Sequence, residues 1–286
     1  MTLTLVKAWN AAKDRLKDVK IDQPAIDARL LLEVAADVTR TDIITDPYRV
    51  LTDVQMATLN DFLERRAARE PVSHIIGRKG FWKILLQVNK NVLTPRPETE
   101  VIVDEVLKAF PEESASFNML DLGVGSGTIL LAVLAERPAA KGLGIDVSEE
   151  ALAVARENAA NLGLMGRVAL LRGDWTSGLG NDGFDLVVSN PPYIATHVIE
   201  TLEPEVRDHE PRLALDGGPD GLDAYRLLAG EILRVLKPGA MFAVEIGYDQ
   251  SAAVEALFRE AGAQNVRTIK DLSVNDRVVT GTKPAG

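Results

Sequence analysis

Met119-Leu120-Asp121-Leu122-Gly123-Val124-Gly125-Ser126-Gly127-Thr128 runs from an apolar strand through a glycine-rich turn into the start of a helix. Glycines at such a turn let backbone approach a ligand closely and supply N–H donors at a helix N-terminus. Working outward, segments with strand character recur at 117–122, 142–146, 167–172, 184–189, 240–246, 265–270 and 276–280. Helical patterns occupy most of the gaps, notably 127–136, 149–162, 220–236 and 250–261. Strands alternating with helices predict an α/β fold with a doubly wound, mainly parallel, seven-stranded sheet.

The glycine spacing is G-x-G-x-G, not the G-x-G-x-x-G of dinucleotide folds. Asp121 precedes it, where an anion repels a pyrophosphate but suits a cation. S-adenosyl-L-methionine, with its sulfonium and α-ammonium, is such a ligand. The next strand ends in Gly144-Ile145-Asp146, placing Asp146 to accept from ribose hydroxyls. The third ends in Arg172-Gly173-Asp174-Trp175, where Asp174 can accept from an adenine amino group and Trp175 can pack on the ring. Recurrence at successive strand ends points to a nucleoside-bearing cofactor, although Trp175 taken alone reads first as a core aromatic.

The fourth strand, Phe184 to Ser189, is stopped by Asn190-Pro191-Pro192-Tyr193. Neither proline can donate a ladder hydrogen bond, and Asn190 before proline is held extended. A polar amide, a rigid carbonyl-bearing backbone and an aromatic ring therefore stand at the carboxyl end of a strand. That arrangement can grip a flat NH2-bearing group: Asn190 Oδ1 and the Pro191 carbonyl accept its two N–H bonds, and Tyr193 covers its face. A strand-ending turn is the plainer alternative at this stretch.

Composition narrows the classes. The chain has 286 residues, 46% hydrophobic and 26% charged, ordinary for a globular protein of one or two domains. No apolar run reaches membrane-span length, and Met1 to Asn10 lacks a signal-peptide layout, so the expected location is cytoplasmic. Zero cysteines exclude disulfides and thiolate chemistry. His74, His197 and His209 are scattered without metal-ligand spacing, so no metal is expected. The net charge is −10, split as +1 over residues 1–80 and −11 over 81–286. Such a balance disfavours direct nucleic-acid binding and suits a basic protein partner.

Residues 1–70 read as a small helical bundle: Leu3, Leu5, Val6, Trp9, Ala12 and Leu16 recur at helical spacing, Pro24 opens a second helix, and Thr52-Asp53-Val54-Gln55 is a capping box. Residues 71–97 read as a β-hairpin linker turning at Asn89-Lys90-Asn91. Residues 98–286, which carry the alternating strands and helices, are expected to form a cofactor-binding, Rossmann-like catalytic domain. Glu98, Thr99 and Glu100 read as an N-terminal helix cap.

Together these motifs resemble the amino-methyltransferases dependent on S-adenosylmethionine, and within them the peptide chain release factor N5-glutamine methyltransferases of the HemK/PrmC family. The resemblance spans nearly the whole chain. It includes Pro71-Val72-Ser73-His74-Ile75-Ile76-Gly77, Arg96-Pro97-Glu98-Thr99-Glu100 and the stretch from Glu210-Pro211-Arg212 through Gly217-Gly218 to Asp223. It implies that Gly123, Val124, Gly125, Ser126, Gly127, Asp146, Trp175 and Asn190 bind the cofactor, beside the Asp121 and Asp174 read above. It implies that Asn190, Pro191, Pro192 and Tyr193 hold a glutamine of the Gly-Gly-Gln loop of class I release factors, with Asn190, Pro191 and Tyr193 catalytic. The product is then S-adenosyl-L-homocysteine, and the helical domain is implied to recognise the release factor. A monomer without membrane contact is expected. Asp216 and Asp220 read as loop-shaping. The competing readings are an N6-adenine methyltransferase on DNA or RNA and a non-catalytic cofactor-binding scaffold.

Overall fold

A computed structural model describes residues 3–286; Met1 and Thr2, at the start of the stretch read for a leader, lie outside the described residues. The chain forms two compact units. The first comprises residues up to Arg78 together with the segment Glu203–His209; the second comprises Lys79–Leu202 and Glu210–Gly286.

The first unit holds α1 (Leu5–Asp18), α2 (Pro24–Ala36), α3 (Arg40–Thr45), α4 (Asp53–Ala67) and α5 (Val72–Ile76). Pro24 stands in the first turn of α2, where its missing N–H costs nothing. Thr52 and Gln55 cap α4 reciprocally. Leu5, Leu16, Leu31, Leu32, Leu59 and Leu63 close the core. Helix α3 is capped the same way by Thr39 and Asp42. With six residues it is too short for apolar periodicity to announce it. Far along the chain, Pro204–Arg207 adds a helical turn to this unit: Glu205 accepts from Arg66 at 2.9 Å and from Arg69 at 3.3 Å.

In the second unit, β1 (Arg78–Phe81) and β2 (Ile84–Gln87) form a two-stranded sheet that turns at Trp82-Lys83. The turn expected at Asn89-Lys90-Asn91 lies beyond the hairpin. Val88 and Val92 on either side of it are buried with Ala151 and Val154, so their apolar character reports packing on a helix and not a second strand. Then follow α6 (Glu100–Ala109), β3 (Asn118–Leu122), α7 (Thr128–Glu136), β4 (Lys141–Asp146), α8 (Glu149–Asn161), β5 (Val168–Arg172) and β6 (Phe184–Ser189). After α9 (Thr196–Ile199) and α10 (Pro204–Arg207, the turn placed in the first unit) come α11 (Asp223–Val235), β7 (Leu236–Glu245), α12 (Ser251–Glu260), β8 (Gln264–Lys270) and β9 (Asp276–Thr282).

Seven strands form one sheet in the order β5-β4-β3-β6-β7-β9-β8, parallel except for β9, which runs antiparallel to both neighbours. The mainly parallel, seven-stranded expectation is met. Strand β7 begins earlier than its apolar run because Lys237-Pro238-Gly239 masks it; a register shift opposite β6 accommodates that start. Side chains alternate between two cores: Leu186 and Val188 face one, Val187 the other. From β3 the chain winds first toward β4 and later toward β6, so the switch point lies at the carboxyl ends of β3 and β6. Ligand crevices form there in open α/β sheets.

Candidate active site

A cavity of about 460 Å³ opens at this switch point, within the second unit. The glycine turn after β3 forms its floor. Gly123, Gly125 and Gly127 all take positive φ (73°, 54° and 84°), the left-handed region a Cβ disfavours. Gly123 and Val124 donate their N–H groups to the Ile145 carbonyl, Gly125 to Asp146 Oδ2 and Gly127 to the Val124 carbonyl. Four donors that the sequence suggested for ligand binding are therefore spent on the turn itself. The loop offers shape more than N–H groups, which disfavours a phosphate ligand.

Asp121, on β3, is 1% exposed and lines the cavity. Its Oδ2 accepts from Leu130 N–H at 3.1 Å, while Oδ1 is buried with no hydrogen-bond partner. Burial pushes its carboxyl up to about 7, the Leu130 bond opposes this, and the charge of Asp146 reinforces it. An orphaned buried acceptor calls for a donor, and a cationic one would also favour the ionised form. Asp146, at the tip of β4, holds Gly125 N–H on Oδ2 and Ser148 N–H on Oδ1, both at 2.9 Å. Each oxygen keeps a second lone pair, as a ribose diol requires. Trp175 (φ 48°) and the exposed Asp174 line the same cavity, and the Trp175 ring lies over Gly123.

Asn190 follows β6 and joins that lining, with Pro192 beside it. Its Nδ2 donates to Thr99 Oγ1 at 3.3 Å. Thr99 in turn donates to Glu245 Oε2 at 2.6 Å, and Tyr193 OH donates to Glu245 Oε1 at 3.2 Å. Thr99 makes no helix-capping bond, so the cap reading fails for it; Glu100 instead accepts from Trp82 N–H. Behind the tetrapeptide, Gln250 Nε2 donates to the carbonyls of Tyr193 (3.0 Å) and Gly221 (3.2 Å). Gly217 packs so closely that a Cβ would stand 2.8 Å from the Pro192 carbonyl oxygen.

One wall joins two distant stretches. Arg96 donates to the buried Glu210 at 2.6 Å, and Thr94, Pro95 and Arg96 line the cavity along with Pro211, Leu213 and Ala214. Burial raises the carboxyl of Glu210, and the Arg96 charge pulls it back down. Asp216 is the loop-shaping residue expected: it accepts from Thr196 Oγ1 at 2.6 Å and from Gly218 N–H at 3.1 Å. Asp220 accepts from Leu222 N–H and pairs with Arg226.

The structure thus gathers Asp121, Gly123, Val124, Gly125, Ser126, Asp146, Asp174, Trp175, Asn190 and Pro192 around one cavity. Gly127, Pro191 and Tyr193 do not line it. Gly127 caps α7, the Pro191 ring is buried, and Tyr193 is packed into the core beside β7. The Tyr193 hydroxyl bonds Glu245, because a largely buried phenol needs a partner. Sequence reasoning missed Thr99, Glu245, Gln250 and Asn158. Asn158 Nδ2 donates to Ser126 and Gln87 carbonyls and Oδ1 accepts from Gln87 N–H, pinning glycine loop to hairpin. Only a polar residue on an otherwise apolar helix face hinted at it. Among the described residues, no cluster of side chains could hold a metal ion and no helix is long and apolar enough to cross a membrane.

A donor-poor glycine loop, strand-end acids and a rigid amide at the sheet's switch point define a methyltransferase. A family model described as a methyltransferase domain matches residues 113–277, and one described as the PrmC N-terminal domain matches 7–77. The fold is shared with a crystal structure of a methyltransferase from Pyrococcus furiosus, at a TM-score of 0.55 and 19% identity over 77% of this chain and 99% of that one. A release factor glutamine methyltransferase of Caulobacter vibrioides is 83% identical over 283 residues, covering 99% of this chain and 98% of the relative. One from Agrobacterium fabrum is 42% identical over 273 residues, 94% of each. The chain belongs to the release factor glutamine methyltransferase family.

Proposed function

We propose that this protein transfers the methyl group of S-adenosyl-L-methionine to the side-chain amide nitrogen of the glutamine in the Gly-Gly-Gln motif of class I peptide chain release factors. The observation that carries this reading is one cavity holding both the unpartnered Asp121 Oδ1 and the Asn190 amide. A cation and a planar NH2 group are thereby received side by side.

The residues fit the cofactor. Asp121 supplies the missing counter-charge, Asp146 the acceptors for a ribose diol, Asp174 and Trp175 the surroundings of an adenine. When bound, S-adenosylmethionine supplies an electrophilic methyl on a sulfonium, and S-adenosyl-L-homocysteine remains. A glutamine amide nitrogen is a poor nucleophile because its lone pair is delocalised into the carbonyl. Asn190 Oδ1 accepts one of its N–H bonds and the Pro191 main-chain carbonyl, adjacent in the chain though outside the cavity lining, accepts the other; together they turn the nitrogen toward the methyl and stabilise the positive charge that develops on it. Pro191 and Pro192 stiffen this frame, so little reorganises at the transition state. The proton departs to water once the methyl has moved.

The helical unit supplies partner recognition. It exposes Ile44, Tyr48, Val50 and Val54 around α3 and the start of α4, more apolar surface than a six-residue helix and its flanks need. The acidic second unit suits a basic protein and disfavours naked nucleic acid. The enzyme acts as a cytoplasmic monomer.

Incubation with labelled S-adenosylmethionine and either a purified release factor or nucleic acid tests the assignment. Label on the release-factor glutamine is expected; label on adenine alone, or none, overturns it. Asn190→Ala lowers turnover by about 10²–10³-fold while cofactor affinity falls far less. Full turnover in that variant excludes the mechanism.

A further inference from the structure

Glu245 is 1% exposed at the end of β7, and neither substrate nor cofactor needs a charge at that depth. A buried carboxylate without a role is expensive, so its partners are informative. They are Thr99 Oγ1 on Oε2 and Tyr193 OH on Oε1, and beyond Thr99 stands Asn190 Nδ2. We propose that Glu245 and Thr99 form a positioning relay that fixes which end of the Asn190 amide faces the cavity.

The argument is one of proton count. A carboxylate accepts only, and a threonine hydroxyl has one proton. Once that proton is given to Glu245, Thr99 Oγ1 can only accept, and the one group of Asn190 able to donate is Nδ2. The flipped amide sets Oδ1 against an oxygen with no proton to offer, losing a part-buried bond and adding acceptor repulsion. Nδ2 is therefore held toward Thr99, and Oδ1 is left for the cavity that Asn190 lines. An unguided amide presents the wrong end for a share of the time, offering a donor where the substrate NH2 needs an acceptor. Tyr193 binds the second Glu245 oxygen, so one carboxylate positions both polar ends of the tetrapeptide.

Burial raises the Glu245 carboxyl on balance and Glu98 adds to the rise, while the Thr99 bond, the Arg277 charge on β9 and the Tyr193 bond oppose it. Tyr225 on α11 donates to the Glu245 main-chain carbonyl at 2.7 Å, fixing the strand end. Thr99 is 2% exposed, so water does not substitute for either partner.

This inference rests on Asn190 being the substrate acceptor, and the experiment separates the two ideas. Thr99→Val keeps the shape and removes the hydroxyl; Thr99→Ser restores it. With saturating labelled S-adenosylmethionine and a purified class I release factor, Thr99→Val is expected to lower kcat about 10–100-fold. The cofactor dissociation constant and the KM for release factor should each stay within about threefold, and Thr99→Ser should recover most of kcat. Glu245→Gln, if it folds by its melting profile, should match Thr99→Val, because a carboxamide can donate to Thr99 and reverse the relay. Wild-type kcat in Thr99→Val, or Thr99→Ser as slow as Thr99→Val, overturns the relay. If Asn190→Ala is inactive while Thr99→Val is fully active, the relay alone falls; if Asn190→Ala is fully active, the reading beneath it falls too.

Discussion

Asp121 carries one oxygen on a backbone N–H and one on nothing, in the site proposed to receive a cation. Its carboxyl stands at about 7 in the fold against 3.8 unperturbed, so between those values the folded protein holds a proton that the unfolded chain has released. Stability of the cofactor-free protein is thus complete at low pH and declines as pH rises toward and through about 7. Asp121→Asn, which cannot ionise, should match wild type below about pH 4, gain on it steadily as pH rises, and be more stable by about 2–4 kcal/mol at pH 8. Melting curves of the two proteins across that range check this; parallel curves refute it. The cation favours the ionised form, so cofactor affinity in wild type should strengthen from about pH 5.5 to 7 by up to about tenfold per unit, and calorimetric titration reads it. The residue was legible in sequence because an acid before a glycine turn is chemically odd. Glu245 was not, since its meaning depends on Thr99, 146 positions away.

At the scale of elements, two stretches that read as motifs prove to be halves of one wall. Arg96 leaves Glu210 paired at 2.6 Å with the carboxylate side chain only 1% exposed. Arg96→Ala removes the counter-charge, leaving Glu210 only its Thr94 bonds, and should cost about 1–3 kcal/mol, with a matching loss of cofactor affinity because both stretches line the cavity. Unfolding in denaturant alongside a binding titration separates the two effects. The glycines of the second stretch act sterically. At Gly221, φ is 78° and a Cβ would collide with the Tyr193 carbonyl, so Gly221→Ala must displace the tetrapeptide. Turnover should drop at least tenfold with the helical unit's stability unchanged. Wild-type turnover in that variant would show the contact to be slack. The strands themselves were readable, since buried parallel strands are continuous apolar runs. The hairpin turn was misplaced because Val88 and Val92 look like strand residues but pack on α8.

For the whole molecule, the first unit borrows a turn from far along the chain. Arg66 is 6% exposed and bonds Asp27 at 2.7 Å and Glu205 at 2.9 Å. Glu205→Ala leaves Arg66 half-paired and should weaken α4, seen as faster amide exchange there and about 1–3 kcal/mol of lost stability in that unit. Unchanged exchange would make the borrowed turn passive. Recognition belongs to this scale too. Tyr48, 78% exposed, should anchor the release factor, so Tyr48→Ala is expected to raise KM for the intact factor several-fold while leaving kcat unchanged. Equal KM values would move the docking surface elsewhere.

By itself the sequence determined the alternating sheet, the glycine turn after β3 and the rigid amide at Asn190, because each is written in neighbouring residues whose backbone preferences are local. Only the tertiary structure decided that the loop's N–H groups are spent internally and that Tyr193 turns to Glu245. It also joined Thr99 to Asn190 and Arg96 to Glu210. Those are long-range pairings of buried polar groups, and a polar residue reveals its partner only when the fold has removed water as the alternative.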